Sequence, residues 1–440
     1  MDKLKLDYKK TFFIGFGFLA SSIAWSLYNA IVTPMLEENY VPQIVAKLGL
    51  TGGILTTLTG IIMTIDNIFG VIFQPIFGAL SDKTRTKIGR RMPYVTIGLP
   101  VCAVLFALIP LMPSLGPFML VLIAFNFIMS IWRAPVVALM PDLTPSPLRS
   151  QANGVINLMG GIGSILAFLV GGRLSDLWEP APFFFSAAVM LLALVMLRIN
   201  VKEPPGEAAI ETKELGEEDK SIGELPPEEK KAKTRSLIFL LLAIFFWFNG
   251  YNCIETYFTT YAVKSLEVSE GVLVSKGMAT MMLAFFSVTF VAVAIPAGLL
   301  ANRIGRRKAI LIGLLGVTLV FPVLILVKNL MLVRAMLLVG GAFWAFVNIN
   351  SLPMVLQLCT HRDIGKYTGY YYFFSFSASI SAPILAGLLR DILDDYGSIF
   401  IYAGVAFLIA LLCMLVVKHG DLPAQKQTAT ATEILDQMDS

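Results

Sequence analysis

Asp66-Asn67-Ile68-Phe69-Gly70-Val71-Ile72-Phe73-Gln74-Pro75-Ile76-Phe77-Gly78-Ala79-Leu80-Ser81-Asp82, with Lys83, Arg85, Lys87, Gly89, Arg90, Arg91 and Pro93 behind it, is the stretch from which the rest of the chain can be placed. A carboxylate sits midway along a segment long enough to cross a bilayer. The segment closes on a Gly-x-x-Ser-Asp turn and five positive charges.

Similar segments fill the chain. Hydrophobic residues make up 56% of the 440, charged residues 15%, and the mean hydropathy is +0.76. A water-soluble chain of this length could not cover that much apolar surface, and runs of 18 or more apolar residues indicate membrane spans. Twelve are expected, at approximately 11–33, 52–80, 93–112, 117–140, 151–171, 181–199, 237–262, 277–300, 309–327, 331–355, 367–389 and 398–417. Each approaches the roughly 20 residues a helix needs to cross the hydrocarbon. They are too long and too rich in Leu, Phe and Gly for barrel strands, so the fold class is all-α.

Charge gives an orientation. Twelve spans put both termini on one side. With that side cytoplasmic, about 26 Lys and Arg lie in cytoplasmic segments against seven outside, the bias that the positive-inside rule requires. The net charge of +4 then reflects topology and gives no reason to expect nucleic acid. The first span is followed by Tyr28-Asn29 and no small-x-small site, so it is expected to stay as a span and not to be cleaved as a signal peptide. The location implied is the cytoplasmic membrane. Cys102, Cys253, Cys359 and Cys413 form no C-x-x-C pair, and His361 and His419 are the only histidines. No metal centre, cofactor site or His-based catalytic set can be assembled from them, and the chain is not expected to be an enzyme.

Residues 200–236 break the apolar pattern with Pro204-Pro205, Pro226-Pro227, ten acidic and seven basic residues. They read as a solvated linker between a bundle over 1–199 and another over 237–420, with a cytoplasmic tail over 421–440. The halves echo each other. Tyr28-Asn29-Ala30-Ile31-Val32-Thr33 matches Tyr251-Asn252-Cys253-Ile254-Glu255-Thr256 at four of six positions, 223 residues apart. Gly78-Ala79-Leu80-Ser81-Asp82 with Gly89-Arg90-Arg91 is echoed by Gly298-Leu299-Leu300-Ala301-Asn302-Arg303-Ile304-Gly305-Arg306-Arg307-Lys308, 220 residues after the first glycine. Two matches at nearly one offset indicate a duplication, and repeats of this kind place a binding site near the midplane between the halves.

The loop at 298–308, Gly-x-x-x-Asn-Arg-x-Gly-Arg-Arg-Lys, resembles the signature loop of the major facilitator superfamily, with Asn302 where an acid is usual. The copy at 78–91 is four residues longer between Asp82 and Gly89. Gln74-Pro75-x-x-Gly78-x-x-Ser81-Asp82, Gly89-Arg90-Arg91-x-Pro93, Ala138-Leu139-Met140-Pro141-Asp142-Leu143-Thr144 and Trp25-x-x-Tyr28-Asn29 look like the sucrose transporters and the glycoside–pentoside–hexuronide symporters. Asp142-x-x-Pro145-x-x-x-Arg149 is similar to a loop of sugar porters. The resemblance implies two pseudo-symmetric six-helix bundles that carry a neutral sugar by alternating access, with the proton as coupling ion, no cofactor, and a monomer in the bilayer.

Charges inside a membrane cost roughly 2.5 kcal/mol upward, so each is a functional candidate. Asp66 lies mid-span with Thr59, Gly70, Phe73 and Phe77 on its face. A carboxylate in apolar surroundings is expensive to keep charged, which suits a proton carrier; a structural hydrogen bond, for instance to Asn29, is the plainer alternative. Glu255 shares a face with Phe248, Tyr251, Asn252 and Thr259, and its repeat partner is Val32, so one half alone carries this acid. Arg133, with Asn126 and Ser130 on its face, needs an acid or a polar ligand, and a guanidinium can grip a sugar diol with two parallel hydrogen bonds. The related plant carriers have an arginine in this span that would align near Val137. Trp25, Asn29, Asn126, Tyr251, Asn252, Trp344 and Asn348 supply the amides and rings a sugar needs, though helix packing explains any one of them as well. Asp82, Arg90, Arg91, Asp142, Arg149 and Arg306 are expected to form ion pairs and caps that hold one conformation and break in the other. Two other readings stay open, a sodium-coupled sugar carrier and an exporter of amphipathic compounds. Gln74 stands where melibiose-type relatives place an acid, which weighs against the first.

Overall fold

The computed structural model describes residues 6–49, 52–145, 148–203, 227–269, 271–358 and 364–420. Among these the chain is helical almost throughout. Twelve helices follow one another: α1 Tyr8–Leu48, α2 Leu55–Lys83, α3 Met92–Leu111, α4 Leu115–Leu143, α5 Gln151–Leu177, α6 Ala181–Asn200, α7 Lys231–Ser265, α8 Lys276–Ile304, α9 Arg306–Val323, α10 Leu330–Leu356, α11 Lys366–Leu393 and α12 Ser398–Val416. All but α9 are long and apolar enough to cross a membrane; α9 gives its first turn to Arg306, Arg307 and Lys308. A two-stranded ribbon, β1 Glu267–Ser269 and β2 Val272–Leu273, joins α7 to α8. Of the linker expected over 200–236, residues 204–226 lie outside the described residues, as do the tail over 421–440, Cys359 and His361.

The largest departure from the expected boundaries is α1, which runs on to Leu48 and not to residue 33. The apolar run stops at Leu36, before Glu37 and Glu38. The helix continues because Glu37 is buried at 5% exposure, with Leu36 and Val41 fully buried around it. Two turns of α1, Tyr28–Val32 and Leu36–Tyr40, widen to π-helix. Each lies just ahead of a proline, Pro34 and Pro42. A proline has no N–H to give the preceding turn and its ring crowds that turn's carbonyl, so a wider turn relieves both.

The second interruption is in α2. A turn at Thr64 separates Leu55–Met63 from Ile65–Lys83, and the Thr64 hydroxyl donates to the Ile61 carbonyl at 2.7 Å. Asp66 therefore sits in the first turn of the second segment. Positive dipole and unpaired N–H groups gather at such an end, an environment that accommodates a carboxylate.

The chain divides into two compact units. The first comprises Met1–Glu218, Thr256–Lys264 and Leu273–Ala284. In it α1 packs on α4, α5 and α6, α2 packs on α4, and α3 packs on α4 and α6. Ala20, Ile23, Ala24, Leu27 and Tyr28 make α1 the core of the unit. Close approach of α1 and α5 needs Gly163, since a Cβ there would lie 2.6 Å from the Leu19 carbonyl oxygen. The second unit comprises Asp219–Glu255, Ser265–Val272 and Phe285–Ser440. There α9 packs on α10 and α12, and α11 packs on both of these. Gly341 of α10 meets the Phe286 carbonyl of α8, leaving no room for a Cβ. Ile97, Leu120 and Phe373 point outward at 66–70% exposure. Water would penalise that surface, whereas lipid tails do not.

Candidate functional site

Each unit carries a polar patch inside its apolar core. In the first unit the patch starts at the π-turn of α1. Trp25 meets Tyr28 edge-on at 5.7 Å and Phe125 at 6.5 Å, and Tyr28 stacks on Phe125 at 6.0 Å. The Arg133 guanidinium lies 5.6 Å from the Trp25 ring centre, a cation–π contact that gains strength where water is scarce. Asn126, 1% exposed, donates to the Tyr28 hydroxyl at 3.4 Å. Its own carbonyl takes the Ser130 hydroxyl at 3.0 Å. Asn29 lies in the π-turn, where its backbone carbonyl accepts from Thr33 at 2.9 Å. Asp66 is 7% exposed. Its Oδ1 takes the Asn67 backbone N–H at 2.5 Å and the Asn67 amide at 2.7 Å.

The second unit holds Glu255, Tyr251, Asn252, Trp344 and Asn348. Tyr251 lies flat on Trp344, with centroids 4.6 Å apart and planes 2° off parallel. Phe248 meets Trp344 and Tyr371 edge-on at 5.8 and 6.2 Å. Tyr251 is hydrogen-bonded to Glu255 one turn further along α7. Trp344 is 2% exposed, so its ring serves chiefly to seat Tyr251. Asn252 donates to the Phe248 carbonyl at 2.7 Å, and the Asn348 carbonyl accepts from Ser351 at 2.7 Å. Ser351 in turn meets the Tyr371 hydroxyl at 3.1 Å.

A third group lies at the end of the first unit that carries the N-terminus. Arg91, 4% exposed, pairs with Asp142 at 2.8 Å and with Asp82, and donates to Ser81 and, at 3.0 Å, to the Gly78 carbonyl. Arg90 pairs with Asp142 at 2.8 Å. Four of the expected loop charges are therefore one cluster. Arg149 instead donates to the Pro141 and Thr144 carbonyls at 3.1 and 3.3 Å. Arg306, in the second unit, donates to the Pro353 carbonyl at 3.1 Å.

Beside these belong the motif glycine Gly89 and three residues that the sequence does not single out, Glu203, Asn249 and Glu37. Glu203 takes the backbone N–H groups of Arg91 and Met92 at 2.9 and 3.1 Å, capping α3 with a carboxylate. Its position just after the sixth apolar run is the signal the sequence offers. Gly89 has φ +105° and faces the Glu203 carboxylate, so it combines a left-handed backbone with a space no Cβ can share. Asn249, 2% exposed, accepts from Tyr402 at 2.8 Å and Ser381 at 3.2 Å and ties α7 to α11 and α12. At helical spacing it falls off the Tyr251–Glu255 face. Glu37 was lost because the apolar run ends just before it.

The chain matches the family described as the Major Facilitator Superfamily over residues 14–276 and 265–436. It is 24% identical over 270 residues to the tetracycline resistance protein, class H, of Pasteurella multocida, covering 59% of this chain and 61% of that protein. It is 27% identical over 208 residues to the sucrose transport protein SUC3 of Arabidopsis thaliana, covering 40% of this chain and 32% of that one. These matches span less than two thirds of either relative's length. Among solved structures, the peptide transporter POT in complex with sulfate superposes with a TM-score of 0.69 at 14% identity, covering 93% of this chain and 94% of that one.

Proposed function

The chain belongs to the Major Facilitator Superfamily, and we propose that within it the protein imports a neutral sugar, a di- or oligosaccharide or glucoside, together with protons by alternating access. The observation that carries this reading is the pair of acids set among rings and amides. Asp66 is 7% exposed and takes the Asn67 amide, in the same unit as the hydrogen-bonded Tyr28 and Asn126. Glu255 is hydrogen-bonded to a tyrosine that lies flat on a tryptophan. A buried anion is costly to keep charged, so a carrier that holds one changes shape more easily with a proton aboard. Amides and guanidinium bind hydroxyls, and ring faces suit the C–H face of a pyranose. The similarity to a sucrose transport protein supports the choice of sugar. We place both termini in the cytoplasm, on the bias of Lys and Arg between loops, and the protein in the plasma membrane as a monomer.

A second reading is export of amphipathic compounds. It draws on the similarity to a tetracycline resistance protein and on the rings of Phe69, Phe73 and Phe77, each 5.1–6.3 Å from that of Phe127. The readings separate in right-side-out vesicles given radiolabelled disaccharides or glucosides under an inward proton gradient, an inward sodium gradient, or neither. Proton-driven accumulation supports the proposal. Accumulation with sodium alone points to sodium as the coupling ion. Extrusion of a lipophilic dye with no sugar uptake under any gradient overturns the proposal in favour of export.

A further inference from the structure

Helix α5 of the first unit has two open flanks of opposite chemistry. Ala152, Ile156 and Met159 are 0–4% exposed, and Ile156, Met159 and Gly163 face α1. At helical spacing Val155, Leu158, Ile162 and Leu169 fall to one side of that contact, and Asn153, Asn157, Gly161 and Ser164 to the other. Leu158 and Leu169 are exposed on the aliphatic flank, as lipid tails allow. Asn153 and Asn157 are exposed on the polar one. An amide turned into hydrocarbon without a partner is costly, so water is the solvent that suits this flank. Asparagines elsewhere in the spans are tied down. Asn249, Asn252 and Asn350 donate to the carbonyl four residues back on their own helices at 3.0, 2.7 and 2.9 Å. Asn153 and Asn157 have no such bond among the described residues. Between them, a Cβ on Gly154 would meet nothing within 4 Å. The flank leads to the patch around Arg133. The Ser26 hydroxyl donates to Ser164 Oγ at 2.9 Å, and a Cβ on Gly160 would lie 3.1 Å from Ser22 Oγ. Ser22 and Ser26 share a face of α1 with Trp25, whose ring carries the Arg133 guanidinium. Along the helix axis Asn157 is about 10 Å from Ser164, and Asn153 about 6 Å beyond it.

We propose that Asn157 and Asn153 determine the size of sugar the protein prefers, by binding hydroxyls on the second and later rings of a linked sugar whose first ring rests at Trp25 and Arg133. This assignment rests on the reading of the protein as a sugar carrier. Three features favour it. A carboxamide offers one carbonyl and two N–H groups, and a hydroxyl, which both donates and accepts, can use either. The two amides stand one turn apart on one flank, about 6 Å along the axis, a spacing comparable to that of neighbouring rings in a linked sugar. Gly154 and Gly161 lie on the same flank and leave room beside the amides for a ring. A single ring held at Trp25 and Arg133 would leave both amides to water. They therefore add to the binding of longer sugars alone.

The test is exchange of labelled for unlabelled sugar in proteoliposomes, which needs no ion gradient. The sugars are a panel of di- and trisaccharides and the methyl glycosides of their rings. Asn157→Leu and Asn153→Leu are each expected to raise KM for the longer sugars about three- to tenfold, the range for losing a hydrogen bond, and to leave KM for the methyl glycosides within about twofold. Asn157→Gln keeps the amide and should stay within about twofold of the parent for both classes. Leu158→Ala, on the aliphatic flank, should change neither. A second measurement does not depend on transport. In nanodiscs, where both faces meet reagent, a charged maleimide should label Asn157→Cys faster than Leu158→Cys, read at each residue by mass spectrometry, and a disaccharide should slow the first while a methyl glycoside does not. Equal losses for short and long sugars, no loss for either, or a parent that exchanges methyl glycosides alone would overturn the size role and leave sugar transport standing. A parent that exchanges no sugar would overturn the sugar reading and this assignment with it. Labelling no faster at Asn157→Cys than at Leu158→Cys would remove the aqueous flank and overturn the assignment by itself.

Discussion

Glu255 is held by a tyrosine that is itself held by stacked rings, and this nesting sets what single substitutions should do. Tyr251→Phe keeps the stack on Trp344 and removes only the hydroxyl that bonds Glu255. A hydrogen bond to a charged group is worth about 1.5–3 kcal/mol, so uptake should fall about tenfold or more while the melting temperature in detergent stays close to the parent's. Glu255→Gln should go further under the symport reading: sugar exchange without a gradient persists, and accumulation against a gradient disappears. Persistence of proton-driven accumulation in Glu255→Gln would move the coupling role to Asp66. Gly341→Ala tests packing alone. Its Cβ meets the Phe286 carbonyl, and overpacking of this kind costs about 1–3 kcal/mol, which should appear as a lower melting temperature. The acids and the arginine were legible in the sequence because an ionisable residue inside an apolar run stands out. What each one touches was not: Trp25 reaches Arg133 from another helix, through packing that no spacing rule supplies.

Among the elements, the turn from α2 to α3 is the most tightly specified. Arg91 is fixed by two carboxylates, a hydroxyl and a carbonyl, and its own backbone N–H is fixed by Glu203. Removing one member of a buried ionic cluster leaves the others uncompensated, at about 3–5 kcal/mol. Arg91→Ala should therefore lower expression and melting temperature more than Arg149→Ala, whose partners are backbone carbonyls that can turn to water. Comparable losses in both would contradict the cluster's special place. The charges of this turn, and that they form ion pairs, were readable from residues 82–91 and 142. Glu203 was not, because one carboxylate among ten acids in a charged segment carries no mark of its own. The long α1 was misread for a related reason. Hydropathy ends a span at the first acids, but the chain buries Glu37 and carries the helix on to Leu48 through a π-turn ahead of Pro42.

Taken whole, the molecule's fold class followed from composition and the spacing of apolar runs, because a bilayer permits few alternatives to the helix. A duplication remains the reading that two short echoes support, a loop signature and a Tyr-Asn-x-Ile-x-Thr run that recur at nearly one offset. The substrate was not legible, as rings and amides of this kind serve packing as readily as recognition. Orientation can be checked by itself: a reporter fused after Ser440 that is active only in the cytoplasm should be active, and its silence would invert the assignment of faces. The central claim, that proton and sugar move together, is tested most directly in proteoliposomes loaded with a pH-sensitive dye and given a panel of sugars without sodium. The account predicts internal acidification that begins on adding one class of sugar and is lost in Asp66→Asn or Glu255→Gln. Sugar entry without any acidification in the parent protein would contradict it.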